Sequence, residues 1–455
     1  MNFRPAQREL APPGALGAPP AELTHEDLDR AADRLRVKRA RAAKRLRPLW
    51  LLWLFVGPGV LVFLGENDAP SMLSYATTGA RYGIGFFLPI IVVPFAMAFV
   101  IQEMTMRLGA VTHRGHAELI FDRFGKFWGG FAMADLVLGN FLTLATEFVG
   151  VRAGASYFGI RPALAVGFAL LVVFAAMLTG RYWTWERLAL GLAAFNLLFI
   201  PVALLAHPPW HAVGRALFTW SPLPHGRALD ILVLIMSDLG ATVTPWMVFF
   251  QQSAVVDKGE QPRDITIGRV DTMMGMGLAA VCGLAAALAA TPLFLHGMSA
   301  AAFERGEFAQ ALRPWIGNVG ATLFALGLIE AGLLAAITIS ASSAYAFGEV
   351  LGVGHSLNWP VRKAAPFYLV LMGSAALAAG LVLIPHVPLV AIALVVNVLA
   401  TLEMPPVLVF LLMLVNDREL MGDQVNDSGA NFAAIAVVVI LVLCGLAYAG
   451  AMLTS

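Results

Sequence analysis

Charged residues are scarce in this chain of 455 residues, and so is cysteine. Asp, Glu, Lys and Arg make up 13% of the sequence, against roughly 25% in ordinary soluble domains. The two cysteines, Cys282 and Cys444, lie in apolar runs, which argues against a disulfide framework or a thiolate metal site. The net charge of +1 gives no reason to expect a nucleic-acid partner. Because 59% of the residues are hydrophobic, we expect an integral membrane protein in contact with lipid.

Long apolar runs predict eleven membrane-spanning helices, since about 20 residues are needed to cross a bilayer. The approximate spans are 49–79, 84–109, 127–153, 161–180, 186–206, 229–254, 268–296, 317–347, 364–385, 388–414 and 431–453. In this interpretation residues 1–48 are a basic cytoplasmic tail, and residues 49–414 are a core of ten helices. Residues 415–455 then form a cytoplasmic loop and an eleventh helix.

The distribution of basic residues predicts the orientation in a cell (inner) membrane. With the N-terminus in the cytoplasm, 23 of the 30 Lys and Arg fall on the inner side and 7 on the outer side. The eleven basic residues of the tail do not decide this, since the remaining 12 inner residues still outnumber the 7 outer ones. By the positive-inside rule, we expect a cytoplasmic N-terminus and an extracytoplasmic C-terminus.

Two of the spans contain polar, proline-bearing interruptions. The first span is broken at "FLGENDAPSM" and the sixth at "SDLGATVTPW". Proline removes an intrahelical hydrogen bond, and the freed carbonyls are tolerated in a membrane only within protein or beside a cavity. Interrupted helices five spans apart predict an all-α fold with an inverted repeat of five plus five helices, which holds its substrate between the breaks.

Asp68 lies within the first break, where unwound backbone also supplies carbonyl oxygens. A carboxylate with carbonyls and no sulfur is typical of a site for a hard cation, which would offset the cost of burying the acid. The alternative is that Asp68 only caps the helix that begins near Pro70. Helical geometry allows at most one of Glu66 and Asn67 to lie on the same side as Asp68.

Several segments together resemble the NRAMP divalent-metal transporters, and most closely their NRAMP-related branch thought to carry Mg²⁺. The resemblance covers roughly residues 50–420. It rests on "GPGVLVFLGENDAPSMLSYATTGARYG", "QEMTMRLGAVTHRGHAELIFDRFGKFWGGF", "NFLTLATEFVGV", "GATVTPWMVFFQQSAVVDKG" and "NVLATLEMPPVLVFLLMLVNDRELMG". It implies the LeuT-type fold, the fold class that the broken helices also favour.

The resemblance also implies a set of metal ligands, with departures from the family pattern. Where the family has Asp-Pro-Gly-Asn, this chain has Asp-Ala-Pro-Ser, which keeps Asp68 and replaces the Asn ligand by the hydroxyl of Ser71. In helix six the backbone carbonyl ligand corresponds to Ala241, and the family's metal-contacting Met is Thr244. Asn397 falls where the family has a metal-contacting Gln, although a buried Asn often only bonds a neighbouring helix.

The exchange of Met for Thr244 has a chemical meaning. A soft thioether favours transition metals, whereas an oxygen-only site suits Mg²⁺, which usually keeps several of its waters. We therefore expect a transporter for hard divalent cations, Mg²⁺ and Mn²⁺, that needs no resident cofactor. The alternative is that Thr244 only satisfies a backbone group and that selectivity arises elsewhere.

Proton coupling in the family depends on an acidic pair in helix three and on a His after the helix-six proline. Of these, Glu147 is kept as part of a possible proton path, but the other positions are Leu144 and Trp246. We therefore expect transport that is weakly coupled to protons or not at all. Asp238 is either a further carboxylate ligand or a hydrogen-bonding group to a neighbouring helix. Glu330 and Glu403 could form another proton route, although structural pairing is the simpler role.

Other functions remain open as alternatives. A proton-coupled Mn²⁺ or Fe²⁺ transporter is one, and a cation-coupled amino-acid carrier of the same fold is another. Such a carrier binds the substrate carboxylate at bare helix N-termini, where this chain has an acid. A receptor or scaffold would leave the buried acids uncompensated. An enzyme is not expected, because no nucleophile–base constellation is found. His113 and His116 are interpreted as surface residues of a cytoplasmic connection.

Overall fold

The computed structural model describes residues 56–219, 221–297, 307–384 and 389–454, which form helices and loops with no strand among them. The predicted tail, residues 1–48, lies outside the described residues, as do residues 49–55 of the first predicted span.

The helices follow one another along the chain with short connections. They are α1 (Pro58–Glu66), α2 (Ala69–Tyr82), α3 (Phe87–Thr112), α4 (His116–Tyr157), α5 (Pro162–Met177), α6 (Tyr182–Ala193), α7 (Phe199–Leu205), α8 (Trp210–Phe218), α9 (Ala228–Gly240), α10 (Pro245–Lys258), α11 (Ile265–Leu295), α12 (Phe308–Leu351), α13 (Ala365–Val382), α14 (Leu389–Val415), α15 (Arg418–Met421) and α16 (Ser428–Thr454). A 3₁₀ segment, Ala194–Leu198, connects α6 to α7 without a loop.

In the part of the chain that the structure describes, helices coincide with all eleven predicted spans, the first of them from Pro58 onward. Within the described residues, nine helical stretches are long and apolar enough to cross a membrane. The first predicted span, which is divided into α1 and α2, is not among them, and neither is α5, which has only 16 residues. The sixth span is divided into α9 and α10 at the predicted position. The prediction of an all-α fold with broken first and sixth helices is therefore confirmed.

The third and eighth spans share a feature that fits the inverted repeat. Each is the longest helix of its half, 42 residues for α4 and 44 for α12. Each is kinked at its tenth residue, a glycine with a positive φ: Gly125 at 82° and Gly317 at 69°. Because other residues rarely adopt this conformation, glycine allows a short segment to turn into the long transmembrane helix.

Helix α4 packs along α12, and α11 packs against both halves of the broken first span. Small residues permit these close approaches. A Cβ atom on Gly150 of α4 would lie 2.0 Å from the Cβ atom of Ala69, the first residue of α2. Close contacts through small residues are the usual way in which helices associate in membranes. The first break is thus held directly against α4.

Candidate functional site

The first break places Asp68 at the start of α2 in an extended conformation, with φ of −71° and ψ of 174°. Its Oδ1 accepts a hydrogen bond of 2.8 Å from the backbone N–H of Ser71, so Asp68 caps α2. The Ser71 hydroxyl is buried and has no hydrogen-bond partner. The predicted capping role of Asp68 is therefore present, and a carboxylate can cap a helix and bind a cation at the same time.

Glu147, on α4, approaches the same break from the side. Its Oε2 accepts a hydrogen bond of 3.1 Å from the backbone N–H of Ala69. Its Oε1 is buried without a partner, and the side chain is fully buried. Two carboxylates therefore face the N-terminus of α2, whose unpaired amides carry a partial positive charge.

The second break runs from Ala241 to Thr244. The carbonyl oxygen of Ala241 accepts a hydrogen bond of 2.9 Å from the hydroxyl of Tyr75, which lies on α2. The same hydroxyl is 2.6 Å from Oγ1 of Thr242. Tyr75 therefore links the two breaks. A carbonyl oxygen has two lone pairs, so Ala241 keeps acceptor capacity for a second partner.

Glu66 and Thr244 form the most direct link between the breaks. The Thr244 hydroxyl lies 2.7 Å from Oε1 and 2.9 Å from Oε2 of Glu66, and both side chains are buried. Glu66 is the last residue of α1, and Thr244 is the residue before α10 begins. The structure thus brings together two candidate residues that lie 178 positions apart in the sequence.

Asn397 and Trp246 adjoin the second break. The backbone carbonyl of Asn397 lies against Gly240, where a Cβ atom would come within 1.8 Å of it. The Nδ2 group of Asn397 and the indole Nε1 of Trp246 are buried without partners. The Trp246 ring packs over Gly65 of α1. Leu144, which like Trp246 stands where the family resemblance led us to expect a proton-carrying side chain, is fully buried.

Asp238 lies on α9, one turn before the second break, and bonds to α2. Its Oδ1 accepts a hydrogen bond of 2.7 Å from the Ser74 hydroxyl, and its Oδ2 accepts one of 2.9 Å from the Thr78 hydroxyl. Both carboxylate oxygens are therefore engaged by hydroxyls of the neighbouring helix. Of the two roles considered for Asp238, this geometry favours the hydrogen-bonding one.

The side chain of Asn67 bonds to other parts of the molecule than those of Glu66 and Asp68 do. Its Nδ2 donates to Oδ1 of Asn196 at 3.2 Å and to the carbonyl oxygen of Ala279 at 2.9 Å. Asn196 returns a bond of 3.1 Å from its Nδ2 to the carbonyl oxygen of Asn67. Of Glu66 and Asn67, only Glu66 therefore contacts the second break.

The acids around the breaks have no cationic partner. Within the described residues, ion pairs are formed by other acids, such as Glu103 with Arg107 and Arg269, and none includes Glu66, Asp68 or Glu147. Removing an ion from water still costs several kcal/mol in a protein after relaxation. Hydrogen bonds from Ser71, Ala69 and Thr244 offset part of that cost, and a bound cation would offset more of it.

A cation between the breaks would be held by mixed ligands. Among the residues that the structure describes, no group of three or more His, Cys, Asp or Glu side chains is arranged to hold a metal ion. The donors available at the breaks are carboxylates, hydroxyls and backbone carbonyls. These oxygen donors suit hard cations that keep part of their water shell.

Sequence reasoning missed Tyr75 and Asn196, and it misplaced His116. Asn196 interrupts an apolar run, which was the available signal, whereas Tyr75 lies among small polar residues and gave none; the partners of both lie on distant segments. His113 is exposed as expected, whereas His116 is fully buried, so its surface interpretation is wrong. The His116 ring is held by Oε1 of Gln252, 2.9 Å from its Nδ1, because the start of α4 packs against α10.

Comparison with solved structures relates this architecture to known transporters. A crystal structure of the Eremococcus coleocola manganese transporter superposes with a TM-score of 0.67 and 21% identity, covering 90% of this chain and 88% of that one. The structure of MhsT in complex with L-phenylalanine gives a TM-score of 0.56 and 14% identity, over 87% and 97% of the two chains. At these identities the likeness concerns the fold, and the predicted LeuT-type fold is confirmed.

Sequence comparison is more specific. The protein named divalent metal cation transporter MntH 1 in Pseudomonas aeruginosa is 26% identical over 400 residues, which cover 83% of this chain and 87% of that protein. MntH of Yersinia pestis is 27% identical over 411 residues, covering 87% and 95%. The model of the natural resistance-associated macrophage protein-like family matches residues 59–449, which include both breaks. The chain therefore belongs to the Nramp family.

Proposed function

We propose that this protein transports divalent metal cations across the cell membrane, with a preference for the hard cations Mg²⁺ and Mn²⁺. The family and the relatives named as divalent metal cation transporters support the substrate class. The preference within that class is our inference from the residues at the two breaks.

The observation that carries this preference is the contact between Thr244 and Glu66. Where the resemblance leads us to expect a thioether, this chain has a hydroxyl that donates to a buried carboxylate. With Asp68, Ser71 and the Ala241 carbonyl, the donors proposed for the substrate are all oxygens. Oxygen donors with room for water are what Mg²⁺ requires, whereas sulfur would favour softer metals.

We propose that Asn397, which adjoins the second break, contributes its amide either through Oδ1 as a ligand or through Nδ2, which lacks a partner and can donate to a water molecule. We assign Glu66 to the same site through its contact with Thr244. Asp238 and Asn67 have other partners, so we give them supporting roles at most.

We propose further that transport is not obligatorily coupled to protons. Leu144 and Trp246 occupy two positions that carry proton-handling groups in the family. Glu147 uses one oxygen to bind the backbone at the start of α2, which suits a positioning role. A membrane potential supplies about 2.3 kcal/mol per charge per 100 mV, so about 4.6 kcal/mol for a divalent ion. This drive is enough to move an abundant ion such as Mg²⁺ inward.

We also propose that the N-terminus is cytoplasmic, with the ten-helix core ending near residue 414 and the last helix leading outward. The support is the excess of basic residues on the inner side. We make no assignment of oligomeric state.

The decisive experiment is uptake of Mg²⁺ and Mn²⁺ into proteoliposomes, with an interior pH dye read in parallel. We expect uptake of both ions without acidification, and no uptake of either by Asp68→Ala. The matched control is Asp135→Asn, which removes a partly buried acid elsewhere in the membrane region and should keep uptake. Mn²⁺ uptake that excludes Mg²⁺ and acidifies the interior would instead establish the alternative, a proton-coupled transition-metal transporter.

A further inference from the structure

A second group of buried polar side chains adjoins the first break and contains none of the ligands proposed for the substrate. It consists of Asn67, Asn196 and Glu330, which come from three different spans and are 3% exposed or less. Nδ2 of Asn196 lies 3.1 Å from the carbonyl oxygen of Asn67 and 3.5 Å from Oε2 of Glu330. One amide group therefore joins the broken first helix to α12.

The fifth span is distorted where it supplies Asn196. Helix α6 ends at Ala193, the 3₁₀ segment covers Ala194–Leu198, and α7 begins at Phe199. A 3₁₀ stretch in the middle of a helix often marks a functional position. Here it carries the only polar side chain of that segment into contact with the first break.

The group has more oxygen acceptors than N–H donors. The two N–H groups on Asn67 Nδ2 go to Asn196 and Ala279, and those on Asn196 Nδ2 go to Asn67 and Glu330. Two buried oxygens remain without any partner, Oδ1 of Asn67 and Oε1 of Glu330. Within the described residues, no ion pair includes Glu330. A buried acid in this state lacks a compensating positive charge.

The position of Asn67 at the end of α1 adds to the attraction of this group for a cation. Asn67 is the residue at the C-terminal end of α1, and the C-terminus of a helix carries a partial negative charge. In transporters with broken helices, unwound carbonyls and the C-terminal ends of half-helices coordinate Na⁺ or H⁺. The group has a single carboxylate, so a monovalent cation would neutralise it, whereas a divalent cation would leave an excess charge buried.

We propose that Asn67 and Glu330, held by Asn196, bind one Na⁺ ion at a site separate from the divalent substrate site. The unpartnered oxygens Oδ1 of Asn67 and Oε1 of Glu330 are ligands, and the carbonyl oxygen of Ala279 lies within the same group. Bound Na⁺ neutralises Glu330 and ties the first, fifth and eighth spans together at the first break.

The test measures thermal unfolding of the purified full-length protein in detergent, with NaCl replacing choline chloride at constant ionic strength and a chelator present. We expect Tm to rise with Na⁺ and to saturate. At a Na⁺ concentration ten times Kd, the folded state gains a factor of about 11 over the unfolded state. K⁺ should produce a smaller rise. A Tm that responds equally to Na⁺, K⁺ and choline, or to pH alone, would refute the Na⁺ assignment.

Variants connect the effect to this group. Glu330→Gln keeps the shape of the side chain and should abolish the Na⁺-dependent rise, and Asn196→Ala should weaken it if the first variant does not fold. Glu403→Gln should keep the full rise. Asp68→Ala should keep it too while losing divalent uptake, which separates this proposal from the proposed function. A rise that persists in both Glu330→Gln and Asn196→Ala would overturn the assignment.

Discussion

The hydroxyl of Thr244 is the residue-level basis of the proposed selectivity, and Thr244→Met tests it. The substitution introduces the thioether that the family resemblance implies for this position and removes the hydroxyl that donates to Glu66. We expect uptake of Mg²⁺ to fall sharply while uptake of Mn²⁺ is largely kept. Cd²⁺, a softer ion, should become a substrate or a stronger competitor, because sulfur prefers soft metals.

The magnitude follows from the contact that is lost. The Thr244 hydroxyl lies 2.7 and 2.9 Å from the two oxygens of Glu66, which we count as one hydrogen bond shared between them. A hydrogen bond to a charged group contributes about 1.5–3 kcal/mol. Since 1.4 kcal/mol is a factor of ten, the ratio of Mg²⁺ to Mn²⁺ uptake should fall by about 10- to 150-fold.

The assay is the initial uptake rate of each ion into proteoliposomes, normalised to the amount of folded protein. Thr244→Val is the matched control, because it removes the hydroxyl without adding sulfur. It should lose Mg²⁺ uptake as the Met variant does, but without the gain for Cd²⁺. The reasoning is refuted if Thr244→Met keeps the wild-type ratio of Mg²⁺ to Mn²⁺, or if the Val variant gains Cd²⁺ to the same extent.

Three further predictions concern the surroundings of the site. Gly150→Ala should lower uptake of Mn²⁺ and Mg²⁺ alike, because the new Cβ atom would lie 2.0 Å from the Cβ atom of Ala69. Gly130→Ala on the same helix is the control: its Cβ atom would meet nothing within 4 Å, so uptake should not change. Glu260 lies in the connection between α10 and α11, and burial raises its pKa to about 7. Because the folded state then disfavours the ionised carboxylate, the wild type should lose stability as pH rises from about 4.5 to above 7. The Tm difference between wild type and Glu260→Gln should therefore fall over that range, and a constant or growing difference would contradict this. Asp271 accepts bonds of 2.7 Å from two backbone N–H groups at the start of α1, so Asp271→Asn should lower Tm by weakening that cap, and an unchanged Tm would count against it.

The helices and both breaks could be predicted because each depends on local composition. Apolar runs of sufficient length identify spans, and prolines among polar residues identify breaks. The ends of the described helices lie close to the predicted ones, with the largest differences at α4 and α12. There a short helical segment precedes the kink at Gly125 or Gly317, so each described helix begins before the predicted apolar span.

The pairing of side chains between helices could not be predicted in the same way. Glu66 and Thr244 were both candidates, but nothing local indicates that they meet. Asn67 was considered for the same site and instead bonds to Asn196, whose approach depends on a 3₁₀ segment in the fifth span. Such contacts depend on the orientation of each helix about its own axis. Apolar residues that are distributed almost evenly around a helix do not specify that orientation.

The charges at the breaks are consistent with the proposed cation site, in a fold whose other members use helix N-termini to bind substrate carboxylates. A half-helix N-terminus carries a partial positive charge and would repel a metal ion. In this chain Asp68 caps α2, and Glu147 accepts from the first N–H of that helix. Glu66 lies beside the start of α10 through its bond to Thr244. Carboxylates thus offset both N-termini, which is what the proposed cation site requires.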